Sequence, residues 1–316
     1  MSTVNTMRAI SQDVLGGPEV LKQVEVERPR PRPNQVLVRV RAAGLNPTDW
    51  KHRATGGFLG EPPFVLGWDV SGVVEAVGIG VATFKPGDEV FGMLPYPFGH
   101  GAHAEYAVAP VRALTHKPSV IDHTQAGALP LVSLTAWQAL VENADLQPGQ
   151  RVLIHAAAGG VGHVAAQIAK ARGAYVIGTA SAGKHDFLRG IGVDETIDYR
   201  ETDFAEAVKD VDVVLDTLGG ETSLKSLRVL RPGGLVVSIL PVGSEDLYTE
   251  AERLGVRALR MLVDADRAGM RAIADLVGQG KLRPTIARAF PLADAAEAHA
   301  LGDTGRTTGK LVLTVD

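Results

Sequence analysis

Between residues 36 and 41 the chain alternates, with Val36, Val38 and Val40 on one side and Leu37, Arg39 and Arg41 on the other. A period of two predicts a strand with two different faces. Residues 72–78 and 88–92 predict further short strands, separated by the turn-forming Lys85-Pro86-Gly87. From about Leu131 the pattern changes to apolar strands alternating with helical periods. Strands are predicted at 152–154, 175–179, 195–198, 211–215 and 235–239. An amphipathic helix is predicted at 219–230, closed by Arg231-Pro232-Gly233-Gly234. Strand, helix, strand in repetition predicts a parallel sheet covered on both faces. A helix near 265–280 follows, and the strand 310–315 regains the β character of the first segment. The expected organisation is therefore a β-rich domain in 1–130, an α/β domain in 131–264, and a return to the first domain in 265–316.

The α/β segment opens with the densest chemical signal. Val152-Leu153-Ile154 breaks into the small-residue turn His155-Ala156-Ala157-Ala158-Gly159, which leads into a helix through Gly160, Val161 and Gly162. Small side chains let a backbone approach the pyrophosphate of a dinucleotide, and the first free N–H groups of a helix point at its charge. The glycine fingerprint is altered, because Ala157 stands where its first glycine would be. Ala158, Gly159, Gly160, Val161 and Gly162 are the candidate phosphate contacts. About twenty positions beyond the glycines, an NAD site carries Asp or Glu for the ribose 2′-hydroxyl. Here Ser181 stands there, with Lys184 close behind. A hydroxyl and an ammonium can hold a 2′-phosphate that a carboxylate would repel, so the expected cofactor is NADPH. Ligands of such sheets sit beyond the carboxyl ends of the strands. That adds Tyr199, Leu218, Leu240 and Val242 to the candidate cofactor contacts.

Composition narrows the classes. The 316 residues suffice for two domains, and 45% hydrophobic with 22% charged residues is ordinary globular usage. A net charge of −4 offers no general attraction to nucleic acid or an anionic membrane. No apolar run approaches the length of a membrane span. The N-terminus lacks the pattern of a secretory signal, so the cytoplasm is the expected location. There is no cysteine, which removes disulfides, thiolate nucleophiles and cysteine-ligated zinc. His100 and His103, with Glu105 nearby, are the one close cluster of metal-ligating type, and a solvated or pocket-lining pair is the preferred reading. The run Arg28-Pro29-Arg30-Pro31-Arg32-Pro33 has the look of a basic peptide ligand, but an extended connector before a strand explains it.

Several blocks in order carry a family resemblance: Gly16-Gly17-Pro18-Glu19-Val20-Leu21, Asn46-Pro47-Thr48-Asp49-Trp50-Lys51, Ala104-Glu105-Tyr106, Leu134-Thr135-Ala136-Trp137, Asp216-Thr217-Leu218-Gly219-Gly220 and Gly309-Lys310-Leu311-Val312-Leu313. From Met7 to Val315 the chain resembles the zinc-independent medium-chain dehydrogenase/reductase superfamily, in its quinone oxidoreductase and enone reductase branch. The resemblance implies a GroES-like catalytic domain, a Rossmann domain binding NADPH in the cleft, and a homodimer. Zinc-dependent members carry an early cysteine, a Gly-His-Glu motif and a four-cysteine lobe. Here Asn46 and Asp49 lie near the first position, Gly67-Trp68-Asp69 replaces the second, and the lobe is missing. Without zinc to polarise an alcohol, hydride transfer to a quinone or an activated C=C bond is the better match.

The resemblance sets the Asn46–Lys51 block beside the nicotinamide. Asn46 is expected to donate to the cofactor or the acceptor carbonyl. Asp49 is expected to orient neighbours, or to be a plain turn residue. Lys51 is either a donor to a developing enolate oxygen or a surface lysine. Thr135 is expected near the nicotinamide, and Tyr199 at the third strand's end. Lys310 is a further candidate for the 2′-phosphate. Tyr106 and Asp216 are left outside the site as core and strand-ending residues. The substrate is thus expected to be a small quinone or enone. An enoyl-thioester reductase and a non-catalytic NADPH-binding sensor or structural protein are the alternatives.

Overall fold

The structure, a computed structural model, describes residues 5–240 and 245–316. The chain divides into two compact units. One comprises residues 1–131, 264–279 and 283–316, and the other residues 132–263 and 280–282.

The second unit is built on a six-stranded sheet. Its spatial order is Glu195–Asp198, Tyr175–Ala180, Arg151–Ile154, Val211–Asp216, Leu230–Ser238 and Arg257–Arg260, and every neighbouring pair is parallel. Arg151–Ile154 comes first in sequence and lies third in space. The chain therefore runs outward one way from it, then returns and runs the other way. Strand order reverses at this strand, and the crevice beyond its carboxyl end is where an open α/β sheet binds ligand. Val152, Leu153 and Ile154 are fully buried, as expected of a strand covered on both faces. The Rossmann arrangement of the expected α/β domain is present.

Two boundaries differ from the periodicity. The helix expected over 219–230 covers only Glu221–Ser226, with a single tight turn at Leu227–Val229 after it. Gly219 and Gly220 have φ of 77° and 59°, left-handed values that cannot continue a right-handed helix. The following strand starts earlier than expected, at Leu230, and runs through Arg231-Pro232-Gly233-Gly234 with an irregular register between Val211 and Val213. The bulge absorbs the turn-forming residues that suggested a break.

The first unit is β-rich. A seven-stranded sheet runs Ile286–Pro291, Lys310–Thr314, Gln35–Leu45, Asp69–Val77, Glu89–Met93 and Leu114–His116, with Tyr106–Pro110 also paired to Gln35–Leu45. A three-stranded sheet joins Lys22–Glu27, Thr6–Gln12 and Phe64–Val65. In Gln35–Leu45, Leu37 is buried like the valines beside it, and only Arg39 is fully exposed. Lys310–Thr314 pairs antiparallel with Gln35–Leu45, aligning Leu311 with Leu45. The helix near 265–280 spans Arg267–Gly278, and Asp266 caps it by accepting from the amides of Ala268 and Gly269. The Arg-Pro run is irregular and extended. Arg28 donates to Glu75 Oε1 at 2.8 Å, and its guanidinium lies 3.8 Å over the Tyr106 ring, so it is held by its own fold. Among the described residues no helix is long and apolar enough to cross a membrane.

Candidate active site

In the second unit the turn after Arg151–Ile154 is tied down one group at a time. Ala156 N donates to Thr179 Oγ1 at 3.2 Å, Ala157 N to Thr179 O at 2.9 Å, and Gly159 N to Ala156 O at 2.8 Å. Helix Gly160–Ala171 then begins, and its first N–H groups have no carbonyl one turn back to receive them. A Cβ on Gly162 would stand 2.5 Å from Ala156 O and 2.6 Å from Ala157 Cα, so helix and turn are packed at a distance only glycine allows. One strand over, a Cβ on Gly178 would stand 2.8 Å from the Ala157 side chain. The alanine that replaces the first glycine is thus accommodated by a glycine on the next strand. The turn presents the Ala158–Gly162 backbone to an anion, and these residues fit a dinucleotide pyrophosphate.

The other candidates of this unit follow strand ends. Ser181 follows Tyr175–Ala180, and Tyr199 follows Glu195–Asp198. The register Ala180 to Asp198 makes the two adjacent. Tyr199 is 57% exposed, and Lys184 closes the short turn after Ser181. Asp198 accepts from the amides of Arg200 and Ala182, which hold its carboxyl below the usual range. Asp216 has a defined role: it accepts from Leu218 N, Gly219 N and Ser223 Oγ at 3.0, 2.9 and 2.5 Å. It thereby folds the loop that carries Leu218. Leu240 stands against Gly219, whose added Cβ would meet Leu240 Cδ1 at 3.2 Å. Thr135 is buried on helix Pro130–Trp137. Val242 lies outside the described residues.

In the first unit the Asn46–Lys51 block forms the start of helix Pro47–Thr55. Proline stands at the first helical position, and Asn46 N donates to Asp49 Oδ2 at 2.6 Å. The Asn46 side chain is fully buried. Its Nδ2 donates to Asp69 Oδ2 at 2.8 Å, and its Oδ1 accepts from Lys310 Nζ at 2.5 Å. These bonds hold the Asn46 amide, the expected donor to the cofactor or the acceptor carbonyl, inside the first unit. Lys310, the further 2′-phosphate candidate, is buried, and its ammonium also donates to Leu45 O at 2.5 Å and lies 3.7 Å from Asp69. Lys51 is exposed on the same helix. Asp49 is buried beneath it, with Oδ1 lacking a partner and 4.0 Å from His103 Nε2. Burial pushes the Asp49 carboxyl up to about 8, against the opposing Asn46 amide, with Asp69 adding to the rise. Burial drives His103 down to about 3, so it is a neutral imidazole. The His100, His103 and Glu105 group is dispersed. His100 Nδ1 donates to Val65 O at 2.6 Å, and Glu105 pairs with Arg8 at 2.7 Å.

The sequence reading missed a second group on this helix. Thr48 Oγ1 lies 3.0 Å from both His52 Nδ1 and the Tyr96 hydroxyl. The rings of His52, Trp68 and Tyr96 pack together, with Phe58 against His52 and Tyr96. The spacing of Thr48 and His52, four residues apart on one helix face, was the available signal.

Two stretches of the chain match known families. Residues 32–119 match the alcohol dehydrogenase GroES-like domain, and residues 191–313 match a family described as zinc-binding dehydrogenase. The 2-haloacrylate reductase of a Burkholderia species is 37% identical over 94% of this chain and 96% of its own. The quinone oxidoreductase structure from Coxiella burnetii is 38% identical, with a TM-score of 0.93 over 98% of this chain and 100% of that one. The chain belongs to the quinone oxidoreductase branch of the medium-chain dehydrogenase/reductase superfamily. A further member, the Escherichia coli quinone oxidoreductase complexed with NADPH, is 30% identical with a TM-score of 0.88, covering 97% and 99% of the two chains. As a member of this branch the chain is an NAD(P)H-dependent oxidoreductase, so a purely structural or sensor protein is set aside.

Two outcomes test this geometry. Gly162→Ala forces a Cβ against turn backbone, and overpacking of this kind costs about 1–3 kcal/mol. Dinucleotide affinity, followed by fluorescence titration, should fall about tenfold or more; unchanged affinity would refute the close packing. Asp49 supplies a pH signature. Its folded pKa of about 8 exceeds the ordinary 3.8, so its contribution to stability is complete below that ordinary value and is lost as pH rises through 8. Asp49→Asn removes this loss. The Tm difference between variant and wild type should grow in the variant's favour from pH 5 to pH 9, and a flat difference would contradict the buried neutral carboxyl.

Proposed function

We propose that this enzyme uses NADPH to reduce a quinone or the activated C=C bond of an α,β-unsaturated carbonyl, without zinc. The observation that carries this reading is the closed knot of Asn46, Asp69 and Lys310. Asn46 and Asp69 stand near positions where zinc-dependent members of the superfamily carry ligands. In this chain their polar atoms are bound to each other and to an ammonium, a poor donor set for a divalent cation. Among the described residues no group of three His, Cys, Asp or Glu could hold a metal. Hydride transfer with such a donor set favours an acceptor that delocalises its own charge. The name of the 2-haloacrylate reductase, a conjugated-alkene reductase, supports the same direction.

The backbone of Ala158, Gly159, Gly160, Val161 and Gly162 would hold the pyrophosphate, and Ser181, Lys184 and Tyr199 the 2′-phosphate end. Thr135, Leu218 and Leu240 are the proposed contacts toward the nicotinamide, which supplies a hydride when bound. Lys51 is exposed and remains a candidate donor to the substrate oxygen. A homodimer in the cytoplasm belongs to the same reading; sedimentation of the purified protein and imaging of the tagged chain test it.

Following NADPH absorbance against quinones, enones and enoyl-thioesters should give turnover with the first two classes, undiminished by prolonged chelation. Turnover confined to enoyl-thioesters, or lost on chelation, would refute the reading. NADPH should be preferred over NADH by about tenfold or more in kcat/KM, a difference of about 1.4 kcal/mol. The double variant Ser181→Asp, Lys184→Ala adds repulsion and removes attraction, and should erase that preference. An unchanged preference would move the 2′-phosphate to other residues.

A further inference from the structure

Tyr96 brings together three observations within the first unit. The first is an oriented hydroxyl. His52 Nδ1 lies 2.7 Å from the Thr48 carbonyl, which can only accept, so Nδ1 carries the hydrogen. The same N–H faces Thr48 Oγ1 at 3.0 Å, leaving the Thr48 hydroxyl hydrogen for Tyr96 Oη, also at 3.0 Å. Tyr96 Oη therefore accepts, and its own hydrogen meets no acceptor among the described residues. The His52 ring is itself fixed. A Cβ on Gly57, which has a φ of 48°, would stand 2.8 Å from His52 Nε2.

The second observation is a rigid ring. Tyr96 packs 5.2 Å from Trp68 and 6.1 Å from Phe58, both edge-on, and Trp68 Nε1 donates to Pro97 O at 3.1 Å. The third is the surface beside it. Phe58 is 52% exposed and Phe98, two residues beyond Tyr96, is 73% exposed. Exposed aromatic faces of this kind stack planar conjugated molecules. Tyr96 itself is half-buried.

We infer that Tyr96 is the catalytic proton donor to the α-carbon of an α,β-unsaturated carbonyl substrate, with Thr48 and His52 as its positioning residues. The inference rests on the proposed function and narrows its substrate class. A hydride, which NAD(P)H would supply in the family's reaction, forms the new bond at the β-carbon. The alkene electron pair passes onto the α-carbon and the carbonyl oxygen. The Tyr96 O–H bond then breaks, its proton forms the α-carbon–hydrogen bond, and the phenolate keeps its hydrogen bond from Thr48 until water reprotonates it. Burial raises the Tyr96 pKa from its usual 10.0, opposed by the Thr48 bond and assisted by Asp49, so the phenol is intact at neutral pH.

The test is Tyr96→Phe, which keeps the ring packing and removes only the hydroxyl. Positioned general acids contribute about 100-fold or more. The variant's kcat for an α-methyl enone should fall by about that factor, with NADPH affinity by fluorescence unchanged. The enone-to-quinone turnover ratio should fall about tenfold or more, because quinone oxygens can take protons from water. In deuterated water the wild type should label one face of the α-carbon and the variant both faces. Ultraviolet titration of the cofactor-free protein, wild type minus variant, should show this phenol ionising above pH 10, with Asp49 and His52 as the titratable groups facing it. Equal losses for enone and quinone, retained facial selectivity, or ionisation below neutrality would overturn the inference. A wild type that reduces neither class would remove the proposed function, and the inference with it.

Discussion

The first unit is organised around one buried cation. An ammonium taken out of water is tolerated only when its hydrogens find acceptors and its charge finds a partner. Lys310 meets that demand with Leu45 O, Asn46 Oδ1 and the Asp69 carboxylate. Asp69 in turn receives the amides of Asn46 and Leu131. Four segments far apart in sequence are therefore held to one geometry, and the start of helix Pro47–Thr55 inherits it. Asp49, Thr48 and His52 point where they do because Asn46 cannot move.

The same demand separates what the chain reveals locally from what it does not. The parallel strands were legible because each is a short apolar run, and strand identity depends on neighbours a few residues away. The glycine turn was legible for the same reason, with Gly159 and Gly162 next to the strand they follow. Gly219 and Gly220 lay in plain view, but an amphipathic period carried through them until their left-handed φ values were known. The pairing of Asn46 was not legible because its partner lies 264 residues away in the chain. Its neighbours suggested an open site, and only the paired strands bring Lys310 against it. Tyr96 was invisible for a related reason: nothing near it in sequence announces Thr48.

Within the second unit, the altered fingerprint keeps the shape of the turn with a different residue. The methyl of Ala157 fills space that would otherwise be empty, and the missing Cβ of Gly178 makes room for it. The close approach of helix to turn survives at Gly162, where a methyl would strike backbone that cannot yield. Asp216 adds a second anchor by gathering the amides of the next strand's loop. The surface proposed to bind phosphate is thus set by backbone position, with side chains that permit it.

The placement of Lys310–Thr314 has a consequence for how the protein is made. This strand lies between Ile286–Pro291 and Gln35–Leu45 and carries the cation around which the first unit closes. On the ribosome, residues 35–39 can pair with Tyr106–Pro110, but residues 42–45 wait unpaired along that edge while some 265 more residues are translated. Residues 132–263 form their own sheet in the interval, since all six of its strands arrive in one continuous stretch. The nascent first unit must keep an exposed strand edge and the Asn46–Asp69 pair without their partner until residues 310–314 have been made. An unpaired edge is a template for another chain's strand, so that interval gives a chaperone something to protect.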